Sequence, residues 1–198
     1  MADDTRDQPK TKPESNKGSS VNLDQRNGFY SLLASTTRSP EIPESADVYG
    51  WLCGSWDLDV RCYRGVNVVG QGLQGEVHAA RVLEGRAVQD VWIMPRFDLR
   101  HSDSDLAMNM YGTTLRSWDP TSQSWHIAWT NPVRGHREEQ VGRWDGRDIL
   151  QEGTRPAGTK TRWTFTDITA HSFHWRGEAL YPDKSTWTLE AEFLATRR

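Results

Sequence analysis

Six histidines, His78, His101, His126, His136, His171 and His174, are the side chains of this sequence that change charge near neutral pH. Two of them stand in patterns suited to proton transfer. His126 is flanked by Trp125 and Ile127, with Trp129 further on, so in an extended strand it projects opposite an apolar stripe. His174 alternates with Arg176 and Glu178 on one strand face, as Glu76 does with His78. Asp90, in step with Trp92, is of a type that orients an imidazole or accepts its proton. Arg116, Arg143 and Arg162 are candidate guanidinium groups for a carboxylate, a phenolate or a developing enolate. Trp56, Trp92 and Trp129 are the aromatic candidates for holding an apolar body.

Other chemistries find less support. The histidines are dispersed, and His171 and His174 fall on opposite faces of an ideal strand, so no metal centre is expected. Gly70-x-Gly72-x-x-Gly75 has the letters of a dinucleotide fingerprint. It lies in an extended segment and opens no helix, so its amides would not converge on a pyrophosphate, and no cofactor is expected. The serines form no nucleophile elbow or assembled triad.

These side chains need elements to position them, and the apolar spacing from Gly54 onward has period two. The pattern predicts strands over 56–63, 66–78, 86–93, 107–118, 124–131, 138–144, 148–151, 161–166, 172–180 and 186–194. Arg64-Gly65, Glu84-Gly85, Asp119-Pro120, Asp145-Gly146 and Pro182-Asp183 mark turns between them, with Asp145-Gly146 suited to a type I′ hairpin. The intervals are too short for crossover helices, which excludes a doubly wound fold. Closing the strands would remove exposed edges and enclose a pocket, so the expected fold class is all-β, an antiparallel meandering barrel of about 8–10 strands. Strand parity alone does not carry the inward face across turns of uncertain length, so either face is open to each polar set.

The chain has 198 residues, 35% hydrophobic and 26% charged, enough for one domain with modest appendages. Its formal net charge of -3 gives no overall positive field, and no nucleic-acid partner is expected. Residues 1–27 are expected to form a disordered tail, since Met1–Ser20 is charged, rich in Pro, Ser and Gly, and without aromatic residues. Residues 28–53 are expected to supply a short helical cap, with Val48, Tyr49, Leu52 and Cys53 at helical spacing, and residues 54–198 the barrel. No apolar run approaches the roughly 18 residues that cross a bilayer, and the N-terminus has no signal-peptide pattern, so no membrane insertion and a cytoplasmic location are expected. Cys53 and Cys62 are too far apart on one extended strand to pair. Ten tryptophans are a heavy aromatic complement, most of it expected in the core and some around a cavity.

Gly54-Ser55-Trp56, with Leu58 and Val60 on the Trp face, resembles the Gly-x-Trp opening of the calycin barrels, the lipocalins and their fatty-acid-binding relatives. The resemblance implies that the Trp packs across the barrel base, where a C-terminal Arg often stacks near it; Arg197 and Arg198 follow the last expected strand. From about Gly50 to Arg197 the chain is more similar to lipocalin-like bacterial barrel domains of unknown function. The segments carrying this are Leu52-Cys53-Gly54-Ser55-Trp56, Gly85-Arg86-Ala87-Val88-Gln89-Asp90-Val91-Trp92 and Thr113-Thr114-Leu115-Arg116-Ser117-Trp118-Asp119-Pro120. Such barrels commonly hold small organic ligands, and some calycins are isomerases or lyases.

The expected function is therefore binding of a small hydrophobic organic molecule in a barrel cavity. An isomerase, cyclase or lyase is the alternative, with His126 or His174 moving a proton and Arg116 or Arg162 stabilising an oxyanion. A structural or protein-interaction barrel is a third reading, and homodimerisation is left open.

Overall fold

The computed structural model describes residues 23–100 and 108–198, so most of the expected tail and Ala107 lie outside the described residues. A helix, α1 (Leu23–Leu33), begins within the segment read as tail and is followed by a two-residue strand, β1 (Ala34–Ser35). The strands that follow are β2 (Gly54–Tyr63), β3 (Val66–Asn67), β4 (Gln74–Val82), β5 (Ala87–Met94), β6 (Met110–Asp119), β7 (Ser124–Asn131), β8 (His136–Trp144), β9 (Ile149–Thr154), β10 (Lys160–Thr166), β11 (Ser172–Leu180) and β12 (Thr188–Arg197). Each strand from β4 to β12 pairs antiparallel with the next, β12 pairs with β2, and β2 pairs with β4. The result is a closed ten-stranded up-and-down barrel, with β1 and β3 as short additions.

Local sequence explains where this departs from expectation. The single strand expected over 66–78 is two strands, because Gly70 and Gly72 take positive φ in the turn between β3 and β4. The helical spacing around Val48 to Cys53 produces a 3-10 turn, Gly50–Leu52, rather than an α-helix. At Asp145-Gly146 only Gly146 has positive φ; the Asp145 carboxylate accepts the amides of Arg147 and Asp148, which widens the connection beyond a two-residue hairpin.

Strand alternation gives the barrel a dry base and an open mouth. At the base, residues 39–53 fold under the strands and bury Ile42, Tyr49 and Leu52. Trp56, Trp51, Phe173 and Phe165 meet edge-on or tilted there at centroid distances of 4.9–5.9 Å. Two buried indoles are satisfied by the plug backbone: Trp56 donates to the Leu52 carbonyl at 2.8 Å and Trp125 to that of Ala46 at 2.8 Å. Arg197, near the end of β12, lies 4.0 Å over the Trp56 ring and donates to the carbonyls of Trp51, Cys53 and Ala170. One guanidinium thus ties the last strand to the plug and the first barrel strand. Among the described residues, no helix is long and apolar enough to cross a membrane.

Candidate functional site

Alternate residues of β5, β6, β7, β10, β11 and β12 point inward and, above the base, leave a cavity of about 590 Å³ open at the mouth. Barrel diameter grows with strand number, and the ten strands here leave interior room that the lining side chains do not fill. Its walls carry Trp92, Trp129, Trp163 and Trp175 with Phe193 and Met110. Trp129 meets Trp163 at 6.3 Å, Trp163 meets Trp175 at 5.6 Å and Trp175 meets Trp92 at 5.7 Å, which makes a continuous aromatic arc. Two glycines make room for it: a Cβ on Gly112 would lie 2.3 Å from the Trp129 ring, and one on Gly177 2.6 Å from that of Trp175.

The cavity floor is polar. Arg116, 1% exposed, pairs through Nη1 with the equally buried Asp90, whose other oxygen accepts the Thr114 amide at 3.0 Å. The Tyr49 and Phe165 rings lie 5.2 and 5.7 Å from its guanidinium carbon. Arg116 Nε and Asn131 Oδ1, both on cavity-lining residues, are buried without a hydrogen-bond partner. A buried polar atom without a partner is costly in a closed core.

A hydrogen-bonded polar wall runs up β8, β9 and β10. Tyr49 OH donates to Gln151 at 3.3 Å, Gln151 to Gln140 at 3.3 Å, and Gln140 to Glu138 and Thr161 at 3.3 and 3.1 Å. Burial pushes the Tyr49 phenol well above its ordinary value, so it stays a neutral donor. Near the mouth, Arg155 donates to Glu138 on β8 and to Glu190 on β12, and Tyr181 donates to Glu190. Burial pushes both carboxyls up, but the hydrogen bonds from His136 and Arg155 to Glu138, and from Arg155 and Tyr181 to Glu190, hold them below the ordinary range. Arg155 is therefore a strap between two strands that are not neighbours. Arg64 and Arg134 stand on the rim.

The structure brings together Trp92, Trp129, Arg116 and Asp90 of the expected site residues. It places the others elsewhere. Trp56 belongs to the base and does not line the cavity. His126 is exposed on the outer face, 3.3 Å from Asp119. His174 is also outside, 2.9 Å from Glu192, because the inward phase of β11 belongs to Phe173 and Trp175. Arg143 is exposed beside the inward Gly142, and Arg162 pairs with Glu178 on the outer face with its guanidinium 4.2 Å from Trp187. Sequence reasoning missed Trp163, Trp175, Asn131, Arg155 and Glu190. The Trp163/Phe165 and Phe173/Trp175 pairs carried a signal, since two aromatics at alternate positions on adjacent strands mark one buried face.

A closed ten-stranded barrel, plugged at its base and open into a tryptophan-walled cavity, is the class of protein that fold and site define. No protein-family model and no curated protein matches this chain.

Proposed function

We propose that this protein binds a small, largely apolar organic molecule inside its barrel. The observation that carries the reading is the open cavity of about 590 Å³ with Trp92, Trp129, Trp163 and Trp175 around buried Arg116. That volume falls within the range of small-molecule sites, and apolar walls with few polar groups are their usual make-up. A barrel serving only as a scaffold would fill this space. The stack of Arg197 on Trp56, following Gly54-Ser55-Trp56, supports placing the barrel with the calycins. Binding is favoured over proton-transfer catalysis because His126 and His174 face away from Arg116, and His136 at the mouth is engaged with Glu138 at 3.1 Å.

The test is native mass spectrometry of the purified chain with identification of any molecule released on denaturation, followed by titration with N-phenyl-1-naphthylamine. Stoichiometric binding is expected, with energy transfer from the wall tryptophans to the probe. Ala191→Phe places a ring in the cavity, and it should weaken probe binding by about tenfold or more while the barrel still unfolds cooperatively. A wild-type protein that neither retains a molecule nor takes up the probe would rule the reading out.

A further inference from the structure

We propose that the Arg155 side chain gates this cavity: it closes one side of the mouth while it bridges Glu138 and Glu190, and a guest enters and leaves when it lets go of Glu190. This rests on the cavity-binding reading and adds how the same site is opened.

The bridge crosses the opening because of where its two ends stand. Glu138 is on β8 and Glu190 on β12, four places apart in a ring of ten strands, so the ends lie on nearly opposite walls. One guanidinium meets both. Arg155 gives Nη1 and Nη2 to the two oxygens of Glu190 at 2.9 and 2.7 Å, and Nε and Nη2 to one oxygen of Glu138 at 3.1 and 3.0 Å. The strands between those ends are β9, β10 and β11, and two of the four wall indoles, Trp163 of β10 and Trp175 of β11, belong to that side. Arg155, Tyr181 and Glu190 line the same cavity at its mouth, so a ring stacking on those indoles has to pass them.

The two ends of the bridge are not held alike. The Arg155 backbone is pinned, since its amide donates to the Thr159 carbonyl at 2.9 Å and its carbonyl accepts the Gly158 amide at 2.8 Å, so the moving part is the side chain. Glu138 is 2% exposed at its side chain and also accepts from His136 and Gln140, whereas Glu190 is 22% exposed and also accepts the Tyr181 hydroxyl at 2.5 Å. An ion pair that water reaches is weakly held, and one shut away from water is not readily parted. Arg155 therefore releases Glu190 first, with its charge still compensated by Glu138.

The test is stopped-flow fluorescence of N-phenyl-1-naphthylamine uptake, and of its release on dilution, with the intact chain in wild type and variants. Glu190→Gln keeps the size of the side chain and removes its charge, so the opening is not widened by truncation. Association and dissociation should both quicken by about fivefold, the gain from losing one solvent-reached ion pair. Arg155→Lys keeps a cation beside buried Glu138 but cannot fork onto both carboxylates; it should quicken both rates too, and it carries the test if Glu190→Gln does not fold. Arg162→Gln breaks a comparable pair with Glu178 on the outer face and should leave both rates as in wild type. Faster dissociation with unchanged association would make Glu190 a contact of the guest rather than part of a gate, and would overturn the proposal. So would unchanged rates in Glu190→Gln or in Arg155→Lys, or an equal gain in Arg162→Gln, which would trace the effect to a looser barrel. Each of these leaves the cavity reading intact, whereas a wild-type chain that takes up no probe removes that reading and this inference with it.

Discussion

Asp90 and Arg116 show what a single pair contributes when it sits under a cavity. The two are diagonal cross-strand neighbours of β5 and β6, two register positions apart, and each is the other's main compensation for burial. Arg116→Met should therefore cost about 3–5 kcal/mol in urea unfolding, since it leaves Asp90 buried without its cation. Asp90→Leu combined with Arg116→Met should recover much of that loss, and a double variant no more stable than the single one would show that packing rather than charge dominates. At this scale the sequence was partly legible. Arg116, Asp90, Trp92 and Trp129 were recognisable as polar and aromatic residues on strands, and the structure puts Arg116, Trp92 and Trp129 around one cavity, with Asp90 paired to Arg116. His126, His174, Arg143 and Arg162 are equally alternating residues of the opposite parity, and no local property of a strand says which parity faces in.

The strands themselves were the most legible elements. Ser124–Asn131 and Ser172–Leu180 appear with the expected bounds because alternation runs unbroken between clear turn residues. The segment from Val66 to His78 misled because its apolar residues span a turn, and the run from Val48 to Cys53 reads as a short amphipathic cap although its hydrophobic residues serve a floor assembled from distant strands. Tertiary demand, absent from any local window, decided both. Arg197 is where β12, the plug and β2 meet. Arg197→Gln should cost about 2 kcal/mol, because carbonyls of Trp51, Cys53 and Ala170 lose a charged donor and Trp56 loses its cation. Hydrogen exchange should quicken in residues 50–56 in that variant before it does so in β6 or β7; a uniform increase would count against a local tie.

Taken as a whole, the molecule is braced across its mouth as well as around its wall. Arg155 links β8 to β12, and the Glu138 and Glu190 carboxyls that hold it titrate below the ordinary value of 4.5. A carboxyl whose folded pKa is depressed stabilises the fold fully above its unfolded value and loses that contribution as pH falls through the folded value. Stability should thus decline from about pH 5 downward, and Glu190→Gln should reduce the steepness of that decline in urea titrations at successive pH values. An unaltered pH profile in Glu190→Gln would remove Glu190 from the account.

Closure of the sheet also sets a timetable. β2 is the first barrel strand to leave a ribosome and β12 the last, yet Trp56 pairs with Arg197 and Leu58 with Ala195. The hairpins from β4 to β11 need only near neighbours and are free to form during synthesis. The seam between β12 and β2 waits for nearly the whole barrel to be made, and contacts so distant in sequence are slow to find each other. Until then, two unpaired strand edges are open to other chains, so the interval between the synthesis of β2 and that of β12 is when this barrel is most exposed to misassembly.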